Sequence, residues 1–134
     1  MKPVKQEDPL GCGIACAAFV LGMSYKRAKR RFSRPAEAER RGFFCKDIVR
    51  ALGRGGLEYR AERCRGANRW SNGTIVFIRR SDRYPAGHYL VKSRKGWMDP
   101  YLNLPEQKNF IKAKAGFRKR LPGRALYAIA PLEA

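Results

Sequence analysis

The residues around Cys12 could form the nucleophilic part of a catalytic site. Cys12 lies between Gly11 and Gly13, where a polar segment changes into a run of small and apolar residues. If a helix begins there, its unpaired backbone N–H groups and its dipole favour the thiolate form of the cysteine. A thiolate is the nucleophile of covalent acyl transfer, and it needs a neighbouring base, most often a histidine.

The sequence contains one histidine, His88, and the carboxylate of Asp99 follows it in the chain. A carboxylate on the second ring nitrogen of a catalytic histidine orients the ring, and Asp99 could do this. Each residue alone has an ordinary explanation. A free cysteine on an apolar helix is usually a small core residue, and a histidine at a strand end is usually a packed or surface residue. Together, Cys12, His88 and Asp99 predict acyl-transfer chemistry.

Two registers of one predicted hairpin decide whether His88 can reach Asp99. Segments 87–93 and 96–102 read as its strands, joined at Arg94–Lys95. With a two-residue turn, the two side chains are diagonal neighbours on one face, about 7–8 Å apart at the backbone. A three-residue turn with Gly96 in a left-handed conformation would put Asp99 on the opposite face unless a bulge restored it. The sequence is compatible with both registers.

Three motifs resemble those of the bacteriocin-processing double-glycine peptidases, a branch of the papain-like cysteine peptidases. They are QEDPLGCGIAC at 6–16, GHYLV at 87–91 and DPY at 99–101, and with their spacing the resemblance spans most of the chain. It implies that Gln6 belongs to the oxyanion hole, Cys12 is the nucleophile, His88 the general base and acid, and Asp99 the orienting residue. The family usually has an acidic residue just before the nucleophile, whereas this chain has Gly11, with Asp8 as the nearest acid.

The proposed part for Gln6 also has a physical basis. Attack on a carbonyl develops negative charge on its oxygen, which a side-chain amide and the backbone N–H at Cys12 could stabilise together. Otherwise Gln6 is a solvated residue of a polar tail. The resemblance therefore implies a peptidase that acts on a peptide or protein substrate and needs no cofactor.

The order of predicted elements is helices first and strands afterwards. Helices are predicted at 11–22, at 24–32 with Ser24 as N-cap, and at 43–53, where Phe44, Ile48, Ala51 and Leu52 share a face. Segment 33–42 reads as a loop or frayed turn. Strands are predicted at 57–64, 73–80, 87–93, 96–102 and 123–131, and the basic segment 107–124 reads as a solvated connection. This order predicts one α+β domain over 1–134, with N-terminal helices packed on a C-terminal antiparallel sheet, as in a papain-like fold.

The chain is strongly basic, with a formal net charge of +19 and a sequence pI of about 10.6. Such a charge attracts polyanions, so an acidic peptide substrate and a nucleic acid are both compatible with it. A second hypothesis is therefore a nucleic-acid-binding protein, based on the basic segment 26–31 and on four aromatic residues among arginines: Tyr59, Trp70, Tyr84 and Trp97. A third is a non-catalytic interaction protein on the peptidase fold.

The four cysteines predict a reduced protein rather than a disulfide framework or a metal site. Cys12, Cys16, Cys45 and Cys64 have the spacing C-x3-C-x28-C-x18-C, which fits no common zinc motif. The N-terminus has no apolar signal region, and the longest apolar run is too short to cross a bilayer. We therefore expect a cytoplasmic protein without a membrane span, metal or cofactor.

Overall fold

The apolar run after Gly11 forms the central helix of the molecule. In the computed structural model, which describes residues 2–66, 69–80 and 87–132, helix α1 spans Cys12–Leu21. Its residues are buried from Gly13 to Phe19, because small side chains let neighbouring elements approach from several sides. Gly22 ends the helix in the left-handed conformation, as predicted.

Two further helices and a short 3₁₀ helix surround α1. Helix α2 spans Tyr25–Lys29, and its N-cap Ser24 accepts a hydrogen bond from the backbone of Arg27, as predicted. It ends earlier than the predicted Phe32, because the next turns are closed by shorter i to i+3 bonds. Pro35–Glu39 is a 3₁₀ helix, where the sequence predicted a loop or frayed turn.

Helix α3 spans Cys45–Arg54 and differs from the prediction at both ends. It begins two residues later than predicted because the Asp47 carboxylate caps the backbone N–H of Phe44. Phe44 therefore lies outside the helix and is exposed, whereas its neighbour Phe43 is buried. The predicted face of Ile48, Ala51 and Leu52 is buried, but Gly53 lies inside the helix rather than ending it.

Six antiparallel strands form one sheet. They are β1 (Tyr59–Arg63), β2 (Ile75–Arg79), β3 (Gly87–Ser93), β4 (Gly96–Asp99), β5 (Gly116–Arg118) and β6 (Arg124–Pro131), in the order β1-β6-β2-β3-β4-β5. Strand β2 is buried on both faces: Ile75 packs with the helices, and Val76 and Ile78 belong to a second apolar cluster with Leu90 and Trp97. The continuous apolar run of β2 predicted this burial.

The prediction that segment 107–124 is a solvated connection was wrong, because this segment contains strand β5. It pairs with β4 through Trp97↔Arg118 and Asp99↔Gly116. The two backbones come very close, since a Cβ built on Gly96 would lie 2.4 Å from the Arg118 carbonyl oxygen. Among the residues that the structure describes, no helix is long and apolar enough to span a bilayer.

Candidate active site

The hairpin of β3 and β4 adopts the two-residue turn. Ser93 pairs with Gly96 and Val91 pairs with Met98, so Arg94 and Lys95 form the turn between them. His88 then shares a face with Leu90, and Asp99 shares one with Trp97; both of these apolar residues lie in the same cluster. Of the two registers that the sequence allowed, the structure has the one that places His88 beside Asp99.

His88 connects Cys12 to Asp99. Its Nε2 lies 2.7 Å from Asp99 Oδ1, and the imidazole lies close enough to the Cys12 thiol that each group shifts the pKa of the other. Nε2 faces the carboxylate, which leaves Nδ1 as the ring nitrogen available to the thiol. His88 is 3% exposed and Asp99 is fully buried, whereas Cys12, the first residue of α1, is partly exposed. The one group of the three that could meet a substrate directly is therefore the thiol.

The electrostatics of this arrangement favour a thiolate beside an imidazolium. Burial by itself raises the pKa of the Cys12 thiol, but its hydrogen bond with His88, the charge of His88 and the Tyr89 backbone outweigh burial and lower that pKa below its ordinary value. Burial likewise opposes protonation of His88, yet hydrogen bonds to Asp99 and Cys12 raise its pKa to about 9. At neutral pH the proton therefore lies on His88, from which it can pass to a leaving group.

No sequence motif predicted Arg118, which binds the other oxygen of Asp99. Its Nε lies 2.7 Å from Asp99 Oδ2, and its Nη2 donates to the Leu102 carbonyl at 2.8 Å. The backbone N–H of Tyr101 donates to Asp99 Oδ1. Burial would raise the pKa of the Asp99 carboxyl, but His88 and then Arg118 lower it far below its ordinary range.

The position of Arg118 follows from strand pairing, so no local motif could have identified it. Asp99 lies opposite Gly116, and Arg118 is two residues further along β5, where it is a diagonal neighbour of Asp99. Within the sequence it is one of many basic residues in a segment without a clear period. A short strand at the sheet edge is required to bring this one arginine to the carboxylate.

Arg118→Gln is expected to lower the free energy of unfolding by about 2 kcal/mol, because it leaves one oxygen of a buried carboxylate without its charged partner. Urea unfolding at pH 7 measures this, with Lys119→Gln as the control, since Lys119 is exposed and follows Arg118 in the chain. Equal stability of the two variants would contradict the prediction.

Gln6 lies next to Asp99 in space, but its side-chain amide bonds to carbonyl groups of the protein rather than pointing to a free space for a substrate. Its backbone N–H donates to Pro100, the residue after Asp99, at 3.3 Å. Its side-chain Nε2 donates to the carbonyls of Asp8 and Pro9, at 3.1 and 2.9 Å, while its buried Oε1 has no hydrogen-bond partner. To donate to a substrate oxygen, the amide must share or release one of these two bonds.

The remaining cysteines are chemically unlike Cys12. Burial raises the pKa of the Cys16 thiol well above its ordinary value, and burial also raises the pKa values of Cys45 and Cys64. All four cysteines are unpaired. Within the described part of the chain, no group of three His, Cys, Asp or Glu side chains could hold a metal ion.

An apolar groove of about 680 Å³ lies beside Tyr89, the residue that follows His88. Tyr89 is fixed there, because its hydroxyl donates to the Phe43 carbonyl at 2.8 Å. Aromatic residues from three adjacent strands and from the segment just before α3 line the groove: Phe43, Phe44, Phe77, Tyr89 and Tyr127. None of Gln6, Cys12, His88 and Asp99 lines this groove.

Comparisons with known proteins show the fold of this chain. No protein family model matches the sequence, and no curated protein matches it. The structure is similar to that of the peptidase domain of Streptococcus ComA, a bifunctional ABC transporter involved in a quorum-sensing pathway. The TM-score is 0.55 at 19% sequence identity, and the match covers 98% of each chain. The predicted α+β fold of papain-like type is thereby confirmed.

Proposed function

We propose that this chain is a cysteine peptidase that cleaves its substrate by acyl transfer through Cys12. One observation carries the proposal: His88 is bonded to Asp99 and lowers the pKa of the neighbouring Cys12 thiol, in a fold shared with a peptidase domain. The partly exposed thiol has a lowered pKa and lies at the start of a helix, as a nucleophile requires.

The reaction follows from these contacts. Cys12 Sγ attacks the carbonyl carbon of a peptide bond, and the negative oxygen is stabilised by backbone N–H groups at the start of α1 and by Gln6. His88 gives its proton to the leaving amine, and the C–N bond breaks to leave a thioester on Cys12. Water then attacks the thioester while His88 takes a proton, which releases the acid. Asp99 keeps the imidazole oriented throughout.

The substrate that fits best is a peptide or protein. The net charge of +19 favours acidic flanking residues. The similar domain belongs to a transporter involved in quorum sensing, and processing of a secreted peptide is a role that would suit a peptidase of this fold.

The four cysteines are unpaired, which favours a reducing compartment such as the cytoplasm.

Alkylation of the native protein tests the proposal. At pH 6, iodoacetamide is expected to modify Cys12 at least tenfold faster than Cys16, Cys45 or Cys64, because burial raises the pKa values of those three thiols. Peptide mapping by mass spectrometry identifies the modified site, and Cys12→Ser serves as the control. Slow and equal modification of all four cysteines would contradict the peptidase proposal and favour a non-catalytic interaction protein.

Nucleic-acid binding receives less support from the aromatic residues on which that hypothesis rests. Trp97 is buried and packs edge-on against Trp70, and the Tyr59 hydroxyl donates to the Gly73 carbonyl. Tyr84 lies outside the described residues. An affinity for duplex DNA that falls steeply with salt would restore this hypothesis, since phosphate contacts release counterions.

A further inference from the structure

A buried carboxylate fixes the segment that leads from Gln6 to Cys12. Asp8 is 7% exposed, and its Oδ2 accepts hydrogen bonds from the Tyr25 hydroxyl at 2.6 Å and from Lys29 Nζ at 3.0 Å. Both partners belong to α2, which packs against α1. A buried carboxylate that is neutralised by one cation and bonded to one hydroxyl is held in a single orientation.

The backbone of Asp8 makes the contacts that matter for the site. Its carbonyl oxygen accepts from Gln6 Nε2 at 3.1 Å and from the backbone N–H of Gly11 at 3.2 Å. The side chain therefore ties Asp8 to α2, while the carbonyl ties Gln6 to the turn that precedes Cys12. A displacement of Asp8 would move the Gln6 amide and the first N–H groups of α1 together.

Gly11 makes this arrangement possible. A Cβ at position 11 would lie 1.9 Å from the Tyr25 hydroxyl oxygen, so any side chain there would displace Tyr25 from Asp8. Tyr25 is 3% exposed, and burial together with its bond to Asp8 raises its pKa well above the ordinary value, which keeps the hydroxyl a donor. The position before Cys12 and the Asp8 cluster are thus sterically coupled.

We propose that Asp8, held by Tyr25 and Lys29, is a positioning residue for the oxyanion site formed by Gln6 and the start of α1. This inference rests on the proposed peptidase function, and it concerns the stabilisation of the oxyanion rather than the ionisation of the thiol. Loss of the cluster leaves the contacts between Cys12 and His88 in place but lets the oxyanion donors move.

Two reagents separate these effects. Iodoacetamide reports on the thiolate alone, whereas the peptide aldehyde acetyl-Gly-Gly-al forms a hemithioacetal whose oxygen occupies the oxyanion site. Asp8→Ala and Tyr25→Phe are expected to weaken aldehyde binding tenfold or more, as loss of an oxyanion donor does. Their alkylation rates at Cys12 should stay within about threefold of the wild type. Asp8→Asn, which keeps an acceptor for Tyr25, should retain most of the affinity. Lys26→Met, an exposed change on the same helix, should change neither value.

The outcomes distinguish this inference from the proposed function. If the wild-type protein shows no selective alkylation at Cys12, the peptidase proposal itself fails. If Cys12 is selectively alkylated but neither Asp8→Ala nor Tyr25→Phe weakens aldehyde binding, the positioning role is overturned. A parallel loss of both reactivities in both variants would indicate a general structural role and would also overturn it.

Discussion

Replacing His88 by alanine is expected to slow the alkylation of Cys12 at pH 6 by roughly a hundredfold and to abolish peptide cleavage. Without the imidazolium, burial and the charge of Asp99 raise the pKa of the thiol and only the Tyr89 backbone lowers it, so that pKa returns to the ordinary value of about 8.5. A thiol with that pKa is only about 0.3% ionised at pH 6. Cleavage is lost as well, because His88 is the group that protonates the leaving amine in the proposed reaction.

This prediction can be separated from unfolding. His88 is buried, so alanine leaves a cavity the size of the ring, and circular dichroism must show that the variant is folded. Free imidazole should enter that cavity and recover part of the alkylation rate. The difference in alkylation rate between the variant and the wild type should also disappear as the pH rises above 9, because the Cys12 thiol then ionises without the imidazolium. A variant that is folded and alkylated at the wild-type rate would contradict the role of His88.

Asp99→Asn is expected to cause the largest loss of stability, about 3 kcal/mol near pH 5. Asp99 is fully buried and bonds to His88, Arg118 and the Tyr101 N–H, and the substitution leaves the Arg118 guanidinium without its anion. It should also slow alkylation of Cys12 at pH 6 about tenfold, because a weaker carboxylate-to-histidine contact lowers the pKa of His88 from about 9.

The pH dependence of this loss has a definite sign on each side. The folded-state pKa of Asp99 is lowered, so its contribution is complete above its unfolded value of about 3.9 and is lost as the pH falls further. The pKa of His88 is raised, so its contribution is complete below about 6.5 and is lost as the pH rises through about 9. Urea unfolding of both proteins should show the largest difference between about pH 4 and 6.5. A difference that stays constant from pH 2 to 10 would contradict this assignment.

Local patterns were sufficient to predict most of the helices and strands. The apolar run from Cys12 predicted a buried helix, and Gly22 predicted where that helix ends. Ser24 predicted the start of α2. The β-branched run of β2 predicted a strand that is buried on both faces. These features depend on neighbours within a few residues, where periodicity and capping act. The boundary of α3 was missed because it depends on one bond, from Asp47 to the N–H of Phe44.

The pairing of candidate residues was partly open at the level of sequence. Their types and order predicted Cys12, His88 and Asp99 as a group, but two hairpin registers remained. Because strand side chains alternate between faces, one register puts Asp99 on the same face as His88 and the other puts it on the opposite face. The tertiary structure selects the two-residue turn at Arg94–Lys95. The catalytic roles of these residues and of Gln6 remain predictions that the alkylation and aldehyde experiments test.

The sequence by itself determined the chemistry available to this protein: one thiol at a helix start, one histidine, a carboxylate that one of two hairpin registers brings beside that histidine, and an α+β order of elements. Only the tertiary structure decided what surrounds that chemistry. Strand β6 lies between β1 and β2, and β5 brings Arg118 to Asp99. The Asp8 carboxylate is bound by two side chains of α2. Those contacts join residues that are distant in the chain. The contacts within the sheet depend on strand register, which burial of the whole sheet determines, and the Asp8 contacts depend on how the N-terminal segment packs against α2, so no local pattern encodes them.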